Sequence, residues 1–481
     1  MEPSSFSGPT HEHSLRSGTL NVWDAIAQAV AMLSPAMAVA FNTSFAASEA
    51  GAATPLSFLI AGLGSLALAY VVVLFTRRMS HAGYVYAYVR QGFGPTVGFV
   101  SGWIYAFSVA LFVPMTMSGV AMWTSQLLES AGIAVHWFMI YIVGLVILFF
   151  ASYFDIRLST RGQLVFAFLS MFVILILSVM IVAKGGAHGN SMGPFSVGNS
   201  PQGWGGIFYG LIYAMTSYIG FESAAVLAEE TLDPKRTIPR SIYATVLIGL
   251  VFYLFNTYAI SIGFGTDQGA KWAQDSAPLS TLALQYSGKL LNVLISLAAI
   301  LSALLVSLAC HNATTRVMYA MGRDGALPRI MGRTHAVHKT PHVAIVVDLI
   351  VALLLGGIVG FASGPSTSYG FFGGTGSIGV ILIYLVMSLA GIAYFRRAYG
   401  GEFSVLKHVV VPLVSFVVFA LAMYGSVWPV PAPPYNLMPY VILAWLVIGA
   451  IVVGVLKSRD PQKVDKLGEL LGEEGEVSEE T

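Results

Sequence analysis

Long apolar runs alternate with short stretches rich in charge, glycine and proline along most of this chain. Residues 96–128 and 164–182 contain no charged side chain. A run of about 20 apolar residues, wound as a helix, crosses the hydrocarbon core of a bilayer. The pattern predicts an all-α polytopic membrane protein with twelve transmembrane helices. The expected spans are 24–48, 53–75, 96–128, 136–153, 162–183, 205–228, 241–262, 290–316, 343–361, 370–395, 408–427 and 437–456. Polar tails flank them at 1–23 and 457–481, and the acidic end of the second reads as solvated chain.

Charge sets an orientation on this count. With both tails in the cytoplasm, all but three of the 24 Lys and Arg residues fall on cytoplasmic segments. Only Lys184, Lys271 and Lys289 lie outside. Such a partition is what positive charge does to insertion topology, and a miscounted helix scrambles it. The expected location is therefore a cell membrane, with both termini inside.

Composition removes other classes. The chain is 56% apolar and 10% charged, against about 25% charged in soluble domains. A net charge of +1, without basic clusters, excludes nucleic acid as a partner. The single cysteine, Cys310, forms no internal disulfide and anchors no cysteine metal site. Residues 1–21 hold no apolar signal core, so no cleaved leader is expected. No nucleophile–base or metal constellation occurs, so neither an enzyme nor a cofactor is expected. Gly374–Gly379 spells G-x-G-x-x-G inside an apolar span with no preceding strand, which suits close helix packing better than a nucleotide. Gly206 and Gly210 have the spacing of a helix-packing face.

Two spans look interrupted. Ser34-Pro35-Ala36 falls within the first, where proline removes a donor and clashes with the preceding turn. Thr216-Ser217-Tyr218-Ile219-Gly220 puts polar and glycine residues in the sixth. The residues alone leave two readings open. One is a proline kink plus a glycine packing face. The other is a pair of broken helices at matching places in two five-helix halves, 24–183 and 205–395, with helices eleven and twelve (408–456) added.

Three blocks carry a resemblance. Residues 208–242 read FYGLIYAMTSYIGFESAAVLAEETLDPKRTIPRSI; residues 316–344 contain Tyr319-Ala320-Met321-Gly322-Arg323-Asp324-Gly325 and Thr340-Pro341-His342-Val343-Ala344; residues 79–88 read MSHAGYVYAY. In this order they resemble the amino acid–polyamine–organocation permeases, over roughly residues 20–460. The resemblance implies a five-plus-five inverted repeat with helices one and six broken. It implies a substrate site at Ser34, Pro35, Ala36 and Met37, whose freed amides hold a carboxylate, although Pro35 contributes no N–H. It also implies that carbonyls of Tyr218, Ile219, Gly220 and Phe221 meet a substrate ammonium. Thr216 stands where the family often has an aromatic gate, so Phe221 or Phe208 is an alternative gate. Ser217 and Thr216 either join the site or bond to their own helix backbone. Tyr105 and Cys310 align with lining positions of the arginine/agmatine exchanger branch.

Ionisable groups inside a bilayer are costly and are candidates for mechanism. Glu222 follows the second interruption and reads either as a proton carrier or as a paired carboxylate that positions the break. His311 is a further coupling candidate, since imidazole titrates near neutral pH. Asp348 reads either as a partner for a cation such as Arg316 or as a side chain that snorkels towards the cytoplasm. The fifth span has no lysine, which leaves a lysine-based proton mechanism unsupported. Ser302 and Ser307 are available for a sodium ion. The expected function is secondary transport of amino acids or related amines by alternating access. The alternatives are a polyamine or cation permease on the same scaffold, and a membrane nutrient sensor.

Overall fold

The computed structural model describes residues 21–77, 84–154, 160–231, 233–323, 327–335, 338 and 340–459. Most of both tails, residues 79–83 of the third sequence block, and Asp324-Gly325 of the second lie outside the described residues.

Helix α1 (Val22–Leu33) opens on a reciprocal cap. The Asn21 side chain accepts the amides of Trp23 and Asp24, and Asp24 accepts the amide of Asn21. The chain then breaks at Ser34 and resumes through α2 (Pro35–Met37), a π-turn at Ala38–Asn42 and α3 (Thr43–Ala50). After α4 (Thr54–Thr76) and the short α5 (Tyr84–Phe93) come α6 (Pro95–Ser130), α7 (Trp137–Tyr153) and α8 (Thr160–Ala183). A second break separates α9 (Trp204–Thr216) from the 3-10 helix Phe221–Glu230. There follow α10 (Pro234–Phe264), the short α11 (Gly269–Gln274) and α12 (Pro278–Tyr286), α13 (Lys289–Arg323), α14 (His342–Ser363), α15 (Pro365–Ala398), α16 (Val411–Gly425) and α17 (Met438–Arg459). Proline occupies the first turn of α4, α6, α10 and α15, where the missing N–H has no acceptor to lose.

Among the described residues, nine helical runs are long and apolar enough to cross a membrane. One of these, Val22–Thr76, holds the first two expected spans. The fourth span is the shorter α7, and the sixth is the interrupted stretch 204–230, so all twelve are accounted for. Helices outrun the apolar stretches at some ends. Helix α10 begins at Pro234 rather than near 241 because Lys235, Arg236 and Arg240 stay exposed on its first turns.

The packing repeats itself. Helix α1 lies on α10 as α9 lies on α4, and α1 meets α8 as α9 meets α15. The same correspondence takes the α5 contacts with α6 and α15 into the α12 contacts with α13 and α8. This pairing follows from two five-helix halves related by a twofold operation, which carries the first break onto the second. The interrupted helices are therefore enclosed by the bundle. Helices α8, α14, α16 and α17 instead expose rows of Leu, Ile, Val and Phe, a surface that lipid covers.

Candidate functional site

Backbone chemistry builds the site. A helix end leaves its first amides and last carbonyls without intrahelical partners. Ser34 adopts a left-handed conformation, φ 45°, and its amide closes α1 onto Val30 and Ala31. The amides of Ala36 and Met37 then open the first turn of the next helical stretch. At the second break Gly220 takes φ 107°, a region glycine enters without the Cβ penalty. A Cβ there would approach the Met32 backbone at 3.2 Å, so the two breaks touch through that glycine.

Between them lies a cavity of about 80 Å³, room for several water-sized groups. Met32, Leu33, Ser34 and Met37 line it from the first break, and Thr216, Ile219 and Gly220 from the second. Helix α6 adds Tyr105, Val109, Phe112, Met115 and Thr116; α13 adds Val306, Cys310 and Ala313. No lining side chain carries a formal charge, so helix ends are left to meet charge on a ligand, amides for an anion and carbonyls for a cation. Ala313 is the one exposed lining residue, which places the mouth beside the C-terminal half of α13.

The opposite side is closed by rings. Phe41 packs on Trp123 at 4.9 Å and on Tyr369 at 5.2 Å; Phe45 packs on Tyr369 at 5.3 Å and on Tyr213 at 5.2 Å. The Tyr369 hydroxyl donates to Asn42, whose amide donates to Ser217. Beyond this seal Phe41 and Phe45 floor a second cavity of about 210 Å³, lined with Ser44, Ser48, Asp275 and Ser276.

Of the residues expected at the site, Ser34, Met37, Tyr105, Thr216, Ile219, Gly220 and Cys310 come together on the cavity wall. Pro35 and Ala36 are buried but do not line it. Ser217 donates to the Tyr213 carbonyl and holds Asn42, and Tyr218 turns outward to donate to the Phe58 carbonyl. Phe221 is fully buried beside Tyr384, and Phe208 stacks on Trp204, so neither borders the cavity as a gate. Thr216 does both things considered for it: its hydroxyl donates to the Ile212 carbonyl, and it meets the Ser377 hydroxyl on α15. Phe112, Met115 and Thr116 were missed, although with Tyr105 and Val109 they form one stripe at helical spacing.

Glu222 is buried, and its carboxylate accepts the Gly220 amide at 3.0 Å and the Tyr384 hydroxyl at 2.8 Å, with the Tyr105 hydroxyl as a further donor. Among the described residues no cation pairs with it. Ser302 pairs with the Ser34 hydroxyl of the first break, and the Ser307 hydroxyl is buried without a hydrogen-bond partner. His311 and Asp348 meet each other, Nδ1 to Oδ2 at 2.6 Å, and Arg316 stays exposed. The glycines of 374–379 serve packing: Gly376 lies against Phe112 and Ser108, and Gly374 against Met438.

Two broken helices enclosing an uncharged cavity inside a membrane bundle define a polytopic carrier-type scaffold. The chain belongs to the amino acid permease family, whose model matches residues 20–453. Among similar proteins is the low-affinity putrescine importer PlaP of Escherichia coli (strain K12), 30% identical over 306 residues, 60% of this chain and 65% of that one. The match thus spans just under two thirds of that relative's length. The branched-chain amino acid permease BcaP of Lactococcus lactis subsp. cremoris (strain MG1363) is 26% identical over 79% of this chain and 83% of its own. The glutamate/serine transporter AimA of Bacillus subtilis (strain 168) is 22% identical over 81% and 74%.

Proposed function

We propose that this protein is a secondary transporter of amino acids or related amines, working by alternating access around the cavity between the two breaks. The observation that carries the reading is the meeting of Ser34 and Gly220 segments across one uncharged cavity. Amides after Ser34 face a ligand carboxylate; carbonyls ending α1 and α9 face an ammonium. The side chain lies toward α6 and α13. With the ring seal shut and the mouth beside Ala313, the conformation opens to the side on which α13 ends. The charge partition makes that side the cytoplasm, with both termini there. The two repeats are 24–183 and 205–395, with 408–456 packed outside them. The relatives' names support both ligand classes, and the proposal assigns no catalytic step.

Pro35 favours one variant of this reading. It withdraws an amide from the carboxylate pole, which suits amines lacking a carboxylate. Uptake into proteoliposomes with a panel of labelled amino acids and amines decides between them. Counterflow of an amino acid supports the main reading, and counterflow of amines alone supports the variant. Binding without exchange or accumulation overturns both in favour of a sensor. Separate pH and sodium gradients identify the driving ion.

A further inference from the structure

Helix α13 carries two adjacent stripes. Val306, Cys310 and Ala313 border the central cavity. One residue further round, Ser307, His311 and Thr314 form a second stripe at helical spacing. On this second stripe the Ser307 hydroxyl, His311 Nε2 and the Thr314 hydroxyl are all buried, and none has a hydrogen-bond partner. A buried polar group without a partner costs about 1–3 kcal/mol, so three in a row call for a reason.

The reason lies in what His311 touches. Its Nδ1 is 2.6 Å from Asp348 Oδ2, and the two side chains are 0% and 4% exposed. Asp348 and Thr314 also line a cleft of about 430 Å³ on the far side of α13, with Phe107, Leu111 and Met318 among its apolar walls. The pair therefore stands in the partition between the substrate cavity and this cleft. A pair serving only to tie α13 to α14 needs Nδ1 alone. It gives no account of a buried imidazole nitrogen left without a partner on the same stripe as two buried, unpartnered hydroxyls.

We propose that His311 and Asp348 form a proton-binding site that couples proton movement to the transport proposed above, on which this inference rests. Taking up one proton at Nε2 turns a neutral imidazole beside a carboxylate into an imidazolium–carboxylate pair, and losing it reverses the step. The Ser307 and Thr314 hydroxyls turn to accept from, or donate to, that nitrogen in the two states. Because Cys310 and Ala313 are its chain neighbours on the cavity wall, a ligand that shifts α13 alters the setting of the pair. The conformation seen here leaves Nε2 unsatisfied in either protonation state, as expected of one state in a cycle.

Few other groups compete. Helix α14 brings Asp348, with His342 nearer its start; α6 brings Tyr105 across the Cys310 thiol. From α7 comes Tyr141, whose hydroxyl donates to the Ala352 carbonyl. The described side chains of α8, residues 165–182, include no ionisable group. At its inner end α13 carries exposed Arg316 and meets the turn bearing Arg329, while α12 contributes Tyr286 at the other end. Asp24, on α1, lies at that helix's capped start.

Two measurements test this. In the full-length protein in nanodiscs, ¹⁵N-imidazole spectra, assigned by difference with His311→Gln, should show His311 Nε2 taking up a proton, with a definable midpoint, as the pH is lowered. Asp348→Asn should move that midpoint. In proteoliposomes, His311→Gln and Asp348→Asn should keep counterflow exchange and lose accumulation driven by a pH gradient. A His311 that does not titrate overturns the site, and variants that accumulate with an unchanged pH profile overturn its coupling role. Absence of any transport by the unmodified protein defeats the functional reading instead and leaves the titration to judge the proton site. Should both variants also lose exchange, Thr314→Val decides, since it spares the pair and should slow only the gradient-driven mode.

Discussion

The Glu222 carboxylate accepts the Tyr384 hydroxyl at 2.8 Å, tying the chain just after the second break to α15. The same carboxylate receives the Gly220 amide, so one side chain holds both the break's own backbone and a helix 162 residues away. Three donors surround it, and we propose that Glu222 positions the unwound segment. A typical hydrogen bond contributes about 0.5–1.5 kcal/mol. Tyr384→Phe should therefore lower stability in detergent by about that amount and slow exchange, with ligand preference unchanged. A melting temperature equal to the unmodified protein's would show that the bond carries no weight.

Gly220→Ala meets two obstacles. A left-handed conformation costs an L-residue about 1–2 kcal/mol, and the new methyl would press on Met32 at 3.2 Å. Both affect the junction of the two breaks, so ligand affinity should fall together with stability. Calorimetric titration checks this, and unaltered affinity would separate Gly220 from the site.

Thr216 faces the cavity and touches Ser377. An indole there exceeds what a cavity of about 80 Å³ can admit beside a ligand. Thr216→Trp should narrow the accepted ligands to the smallest of a competition panel. A profile identical to the unmodified protein's would put the Thr216 side chain outside the binding space.

Cys310 is the one cysteine of the chain and lies on the cavity wall, so maleimide labelling reads a single position. Bound ligand should slow labelling, and labelled protein should lose exchange. In Phe41→Ala the ring seal loses its central member, a truncation that costs about 3–5 kcal/mol in a packed core. A membrane-impermeant reagent added on the side of the Phe41 stack should then reach Cys310. If protection by ligand is absent and access from that side is unchanged, both assignments fail.

Much of this was legible in the residues alone. In lipid every backbone group must be satisfied within its own helix, so apolar run lengths determine how many times the chain crosses. Local chemistry likewise places the breaks: Pro35 withdraws a donor and Gly220 tolerates a conformation other residues avoid. Tertiary structure alone decided which side of each helix looks inward, because lipid and protein interior are equally apolar and the sequence of a span does not distinguish them. Hence Phe221 and Phe208 turned out to lie away from the cavity, and Asp348 found His311 instead of Arg316. The Asp348–His311 contact joins two different helices, and no spacing rule along one helix encodes a partner on another.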